Sequence, residues 1–272
     1  MRCEEIIRRI EDEYPLGFAE DWDNPGLLVG HRKREISKVL VALDATEETI
    51  RQAIDTDADL MITHHPLLFH SIKKINDDDF MGRRILTLIE NGISCYAMHT
   101  NFDVLGMAQL NVQQLDLDNV SVLDVTSESE GVVEGIGRVG DLPKAMTLEE
   151  TAAYVRESLK LQDVRCYGLE QLEHDAEIGL PAPELITRVA VCGGSGKSCI
   201  SCAIEQDAQV LITGDVDYHS AIDALAQGLY IIDAGHYGTE YGFIEYMVKK
   251  LRRLFPELEV EGARICKPFT VI

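Results

Sequence analysis

The sequence predicts an α/β protein built from two similar halves. Two observations lead there. Short aliphatic runs recur along the chain and end in polar residues able to bind metals, as buried parallel strands do at their carboxyl ends. A run, turn, helix and second run also occur twice, 150 positions apart.

The first copy opens with Lys38-Val39-Leu40-Val41-Ala42-Leu43 and closes with Leu60-Met61-Ile62-Thr63. The second opens with Arg188-Val189-Ala190-Val191-Cys192 and closes with Val210-Leu211-Ile212-Thr213. Laid over each other without a gap, Val39–Thr63 and Val189–Thr213 agree at nine of twenty-five positions, including Ala53-Ile54, Asp57-Ala58 and Ile62-Thr63. Each copy is followed by a glycine-preceded strand, after Gly92 and after Gly228. An internal duplication of a βαβ unit explains the match. Two related halves, 1–125 and 126–272, would then face a shared cleft. The polar stretch Thr126–Gly131 marks the expected boundary.

The remaining elements follow locally. Gly135-Ile136-Gly137-Arg138-Val139-Gly140 fails the spacing of a dinucleotide fingerprint and is followed by Pro143 instead of a helix, so it reads as a strand with a bulge or turn. Thr147 with Glu150 three positions on predicts a helix start. Residues 173–183, with Pro181 and Pro183, read as a loop.

Composition narrows the function. The chain has 272 residues, 46% hydrophobic, and a formal net charge of −22. Such acidity opposes binding to a phosphate backbone, so no nucleic-acid partner is expected. No apolar run is long enough to span a bilayer, so no membrane association is expected. The charged N-terminus lacks a secretory apolar core, and a cytoplasmic location is expected. Cys95, Cys166, Cys192, Cys199 and Cys202 fall in predicted elements and read as reduced thiols. Cys199-Ile200-Ser201-Cys202 has zinc-like spacing but no second cysteine pair to complete a site.

Four predicted strands deliver ligand-type residues at the same end. They lead into His64-His65, into His99 and Asp103, into Asp215 and His219, and into His236 and Glu240. One buried histidine is ordinarily a hydrogen-bonded structural residue, but a set in the same phase points to metal. His236 and Glu240, four apart, meet on one helical turn if a helix begins near Gly238. His64 and His65 cannot point the same way in a regular strand, but before Pro66 they can serve two different metals. Five ligands, His64, His65, Asp103, His236 and Glu240, exceed a tetrahedral site with an open position. They suit two divalent ions sharing a carboxylate, with zinc, manganese, iron and nickel all compatible. His99, His219 and Asp215 are second-tier groups, either orienting a ligand or moving a proton. His70 and His174 read as surface residues, and His31 follows Gly30 in a turn with no further motif support. Gly193-Gly194-Ser195-Gly196-Lys197-Ser198 misses the P-loop pattern, since Val191 stands where its first glycine belongs. As a strand-to-helix loop, Gly193–Gly196 is still a candidate to contact phosphate.

Several stretches together resemble the Nif-three-like family of dinuclear metal-centre proteins, whose members carry the name GTP cyclohydrolase 1 type 2 homologue. They are Trp22-Asp23-Asn24-Pro25-Gly26-Leu27-Leu28-Val29-Gly30, Thr63–Phe69, His99-Thr100-Asn101-Phe102-Asp103, Cys192–Gly196, Thr213-Gly214-Asp215 with Tyr218-His219, and Gly235–Glu240. The resemblance runs nearly end to end. It departs at Asp215, where members often carry Glu, and in having no large insertion between the halves. It implies two α/β halves, two divalent metals per subunit on His64, His65, Asp103, His236 and Glu240, and a toroidal homohexamer.

The expected activity is metal-dependent hydrolysis of a nucleotide or related small molecule. His99 or His219 would carry protons, and Gly193, Gly194, Ser195 and Gly196 would hold phosphate. The alternative is a metal-binding assembly without chemistry of its own, storing or delivering metal or binding a partner.

Overall fold

The computed structural model describes residues 1–129, 131–177, 183–264 and 268–270. Eleven strands lie among them. They are β1 Gly26–Val29, β2 Lys38–Ala42, β3 Leu60–Thr63, β4 Ser94–Ala97, β5 Asp118–Ser129 and β6 Val132–Met146, then β7 Arg165–Tyr167, β8 Ile186–Ser195, β9 Val210–Gly214, β10 Tyr230–Asp233 and β11 Glu259–Gly262. They form a five-stranded sheet, β1-β4-β3-β2-β11, and a six-stranded sheet, β5-β6-β8-β9-β10-β7. The chain divides into two compact units, one of residues 1–102 with 241–272 and one of residues 103–240.

This division corrects the boundary expected at 125/126. Thr126 lies inside β5, which pairs antiparallel with β6. Residues 126–129 continue that strand pairing, so they are not a linker. The first unit instead regains the C-terminal segment. The helix Gly242–Leu254 buries Phe243, Ile244, Met247, Val248 and Leu251 along one face, and β11 then pairs parallel with β2.

The two segments related by 150 positions pair and hydrogen-bond alike. Val39 pairs with Leu60 as Val189 pairs with Val210, and Val41 with Ile62 as Val191 with Ile212. Asp57 and Asp207 both take left-handed backbone angles, φ 54° and 57°. The amides of Ala58 and Ala208 both donate to the carbonyl five residues earlier. Asp59 Oδ2 accepts from Ser37 and Lys38, while Gln209 Oε1 accepts from Thr187 and Arg188 at the same place in the second copy.

In the second unit the parallel strands are apolar throughout because both faces are covered. Val189, Val191, Val210, Ile212 and Ile232 join one core with Leu148, Val155 and Leu159. Ala190, Cys192, Leu211 and Ile231 face the other side, with Ala203, Ala221 and Leu229. In the first unit Leu40, Ala42, Met61 and Cys95 pack with Ile50, Ala53, Ile85 and Leu88.

The glycine-rich strand reads as expected. Gly137 sits in β6 with φ 69°, and a Cβ there would come 2.8 Å from the Val191 carbonyl oxygen. Thr147 caps the helix Leu148–Ser158 in the anticipated capping box with Glu150. The loop expected at 173–183 begins instead within a helix, Leu169–Glu177. Leu169 and Leu172 pack against the core while Glu170, Gln171 and His174 are exposed, the pattern of a surface helix. Residues 178–182, Pro181 among them, lie outside the described residues.

Candidate metal centre

In the first unit, β2, β3 and β4 run parallel, so their carboxyl ends share one edge. His64 and His65 follow β3, His99 follows β4 and Asp44 follows β2. Thr63 Oγ1 donates to the His65 carbonyl at 2.8 Å, fixing the turn. The two adjacent rings then separate toward different neighbours. His64 Nδ1 lies 2.9 Å from the Met98 carbonyl oxygen, and His65 Nδ1 lies 2.9 Å from Asp44 Oδ1. His99 Nδ1 lies 2.8 Å from Asp23 Oδ1. A carbonyl or carboxylate at Nδ1 makes that nitrogen the proton donor and leaves Nε2 with its lone pair, the tautomer a metal needs. One ligand atom from each of His64, His65 and His99 lies within 4.8 Å of the others. His99, second-tier by sequence, therefore sits in the cluster itself.

Packing holds these rings. His64 is fully buried, with ring centroids 5.3 Å from Phe243 and 5.3 Å from His99.

In the second unit, His236 opens a one-turn helix, His236–Glu240, directly after β10. Its Nδ1 lies 2.9 Å from Asp215 Oδ2, at the end of β9, and its Nε2 lies 3.2 Å from Glu240 Oε2. The four-residue spacing thus closes as expected, with the helix starting two residues earlier than Gly238. Asp215 orients His236, one of the two roles its position allowed.

Glycine makes room for this pair. Gly194 has φ 62°, and a Cβ there would lie 2.5 Å from Glu240 Oε1 and 3.3 Å from His236 Nε2. Asp103 opens a five-residue π-helical segment, Asp103–Met107, a widened turn frequent at functional sites. Arg138 from β6 holds that turn by donating to the Val104 carbonyl at 3.3 Å.

Two amides of the Gly193–Gly196 segment, expected to contact phosphate, already have acceptors. The Gly194 amide donates to Thr239 Oγ1 at 2.9 Å, and the Gly196 amide donates to Thr213 Oγ1 at 2.8 Å. Those amides are committed inside the unit, and Glu240 beside them repels anions. The glycines serve close approach, and Ser195 ends β8. His219 lies exposed on the first turn of the helix Tyr218–Ala226, against the Tyr218 ring. It joins no metal-type group among the described residues.

The sequence reading missed Asp23 and Asp44 as partners of His99 and His65. Both had a signal: Asp44 follows a strand end, and Asp23 stands in the Trp22–Gly30 stretch. Cys199 and Cys192 are buried with their sulfurs 3.2 Å apart, and neither joins a metal-type group among the described residues.

Asp23 gives a pH test. Burial raises its carboxyl, but hydrogen bonds from His99 and Thr100 outweigh burial and hold it down at about 2, against an ordinary 3.8. The unfolded chain therefore takes up this proton first. The stabilisation is complete above pH 3.8 and disappears as pH falls through about 2. Asp23→Asn is expected to cost about 2 kcal/mol at pH 7, and clearly less at pH 3. Urea melts of both proteins at the two pH values check this. An equal difference at both would remove the carboxylate's charge as the cause.

The donor chemistry fits divalent metal: imidazoles with one nitrogen already fixed, and a carboxylate beside them. No helix among the described residues is long and apolar enough to cross a membrane.

Comparison with known proteins agrees with this architecture. A protein from Clostridium perfringens named GTP cyclohydrolase 1 type 2 homolog is 36% identical over the full length of both chains. A Streptococcus pneumoniae protein of the same name is 36% identical over 90% of this chain and 88% of its own. The solved structure of a Bacillus cereus protein related to NIF3 superposes with a TM-score of 0.88 at 25% identity, covering 100% of this chain and 99% of that one. Reduced HcgD from Methanocaldococcus jannaschii gives 0.80 at 28% identity, covering 96% and 97%. The family description Duf34/NIF3 (NGG1p interacting factor 3) matches residues 1–268. Ligand-type residues at parallel strand ends thus sit in a chain matched almost end to end, and the chain belongs to the Duf34/NIF3 family.

Proposed function

We propose that the protein is a metal-dependent hydrolase whose His64, His65, Asp103, His236 and Glu240 hold two divalent ions. One observation carries this reading. Three histidines, His64, His65 and His99, have Nδ1 against a carbonyl or carboxylate, which turns Nε2 to their cluster, and His236 lies between two carboxylates, Asp215 and Glu240. A structural histidine needs no such common arrangement.

Bound divalent ions would supply a Lewis acid and make water nucleophilic near neutral pH. The chain's own groups do the rest. Asp44, the Met98 carbonyl and Asp215 orient His65, His64 and His236. His99, between Asp23 and the other two histidines of its unit, is placed to pass a proton at Nε2. The names of the relatives suggest a purine nucleotide or a related small molecule as substrate.

Metal content per chain tests the reading, measured on protein purified without added metal or chelator. Near two ions in the wild type and clearly fewer in Glu240→Ala are expected. No bound metal after addition of manganese, zinc or iron would overturn it.

A second reading, metal storage or delivery by a homohexamer, draws support from the committed amides of Gly194 and Gly196, which remove one feature that only an enzyme would need. Transfer of metal to an apo acceptor would favour it. Metal retained through turnover of a substrate would favour the hydrolase.

A further inference from the structure

Trp22 is the chain's one tryptophan, and it is 57% exposed. Phe69 is 44% exposed, and the two ring centroids lie 5.6 Å apart with planes tilted by 42°. Both rings belong to well-anchored loops. Asn24 Nδ2 donates to the Leu68 carbonyl at 2.6 Å, tying the Trp22 loop to the Phe69 loop. Asp23 accepts from the Thr100 amide at 3.0 Å and from Thr100 Oγ1 at 2.5 Å. The Glu20 amide donates to Thr100 Oγ1 at 2.9 Å. Two large apolar rings are therefore held toward solvent on a pinned backbone.

The same rings reach the histidine cluster. His99 lies 5.9 Å from Trp22 and 6.0 Å from Phe69, ring centre to ring centre, with its plane steeply inclined to both. Its other neighbours are His64 and His65, at 5.3 and 5.5 Å. An aromatic surface thus runs without interruption from solvent to the ligand-type nitrogens.

We infer that Trp22 and Phe69 are a stacking platform for a neutral, planar heteroaromatic ring, held beside His99 for the chemistry proposed above. Exposed aromatic faces bind flat π-systems of many sequences and substituents, because every such ring has a face to offer. The rest of the molecule favours the ring over a phosphate tail as the recognised part. The chain carries a net charge of −22, and the Gly194 and Gly196 amides are committed. The substrate class is accordingly a nucleoside or free heterocycle in preference to a polyphosphate. The inference rests on the hydrolase reading for its purpose, but not for its test.

The lone tryptophan reports binding directly, without turnover. Titration with adenosine, guanosine and uridine is expected to quench its emission saturably with at least one of them, while ribose 5-phosphate leaves it unchanged. Phe69→Leu keeps apolar bulk and removes the ring. It is expected to raise the half-saturating concentration at least five-fold with an unchanged melting midpoint. The titration is repeated on chelator-treated protein. Quenching that survives metal removal supports the platform, even if metal analysis defeats the hydrolase reading. Three outcomes overturn the platform: no saturable quench by any of the three nucleosides, an unchanged titration in Phe69→Leu, or a Trp22 that acrylamide cannot reach because a second copy covers it. Two bound metals with no quench would sink the platform alone.

Discussion

Gly214→Ala is expected to lower the melting midpoint by about 10 °C and to weaken metal binding through His236. A Cβ at Gly214 would lie 2.3 Å from the His236 nitrogen, 2.4 Å from the Gly235 carbonyl carbon and 2.7 Å from the His236 Cα. All three are backbone atoms, so no rotamer change relieves the clash. The end of β9 must instead separate from the turn that follows β10. Overpacking of this kind costs about 3 kcal/mol, which corresponds to roughly 6–12 °C for a chain of this size. His236 moves with the turn and leaves Asp215. Calorimetry and metal analysis on the same preparation check both effects. A midpoint within a degree of wild type would show that the turn yields freely.

Gly194→Ala is expected to do the reverse, sparing the fold and damaging the site. Its Cβ would meet Glu240 Oε1 at 2.5 Å, and that atom is the far end of a side chain, not backbone. The left-handed angle, φ 62°, adds a penalty of about 1–2 kcal/mol for a residue with a Cβ. Glu240 swings away, its 3.2 Å approach to His236 Nε2 is lost, and metal affinity falls about 10–100-fold, as for other changes that misplace a ligand. Competition against a chelator of known affinity measures the change. Full affinity in a folded Gly194→Ala protein would mean that Glu240 is not a ligand. One glycine faces backbone and the other side-chain ends, and that difference decides whether the fold or the site suffers.

Much of this was legible in advance because strand ends have a fixed phase. A short apolar run buried on both faces must deliver its next residues to one edge, so His64, His65 and His99 could be grouped in the first unit, and Asp215 and His236 in the second, from their positions alone. The four-residue interval from His236 to Glu240 needed only helix geometry. Three features were hidden for different reasons. The unit boundary was misplaced because a polar strand end and a polar linker have the same composition. The return of the chain through Tyr241 depends on where an amphipathic helix finds its apolar partner. The amides of Gly194 and Gly196 looked available because their acceptors, Thr239 and Thr213, lie 45 and 17 residues further along. The Asp44–His65 contact spans 21 residues and the Asp23–His99 contact 76, and neither pair has a local pattern to announce it.

The first unit is assembled from both ends of the chain, with residues 103–240 inserted between them. During synthesis the inserted unit leaves the ribosome as one continuous segment and has all its strands before translation finishes. The first unit does not. Until Glu259–Gly262 emerges, β2 has an open edge of unpaired amides and carbonyls, a template for pairing with another chain. The apolar face of the helix Gly242–Leu254, which completes that unit, arrives only just before it. The last tenth of the polypeptide therefore decides whether the first third becomes native. A ribosome that stalls near residue 240 would release a folded insert attached to an unfinished, adhesive sheet.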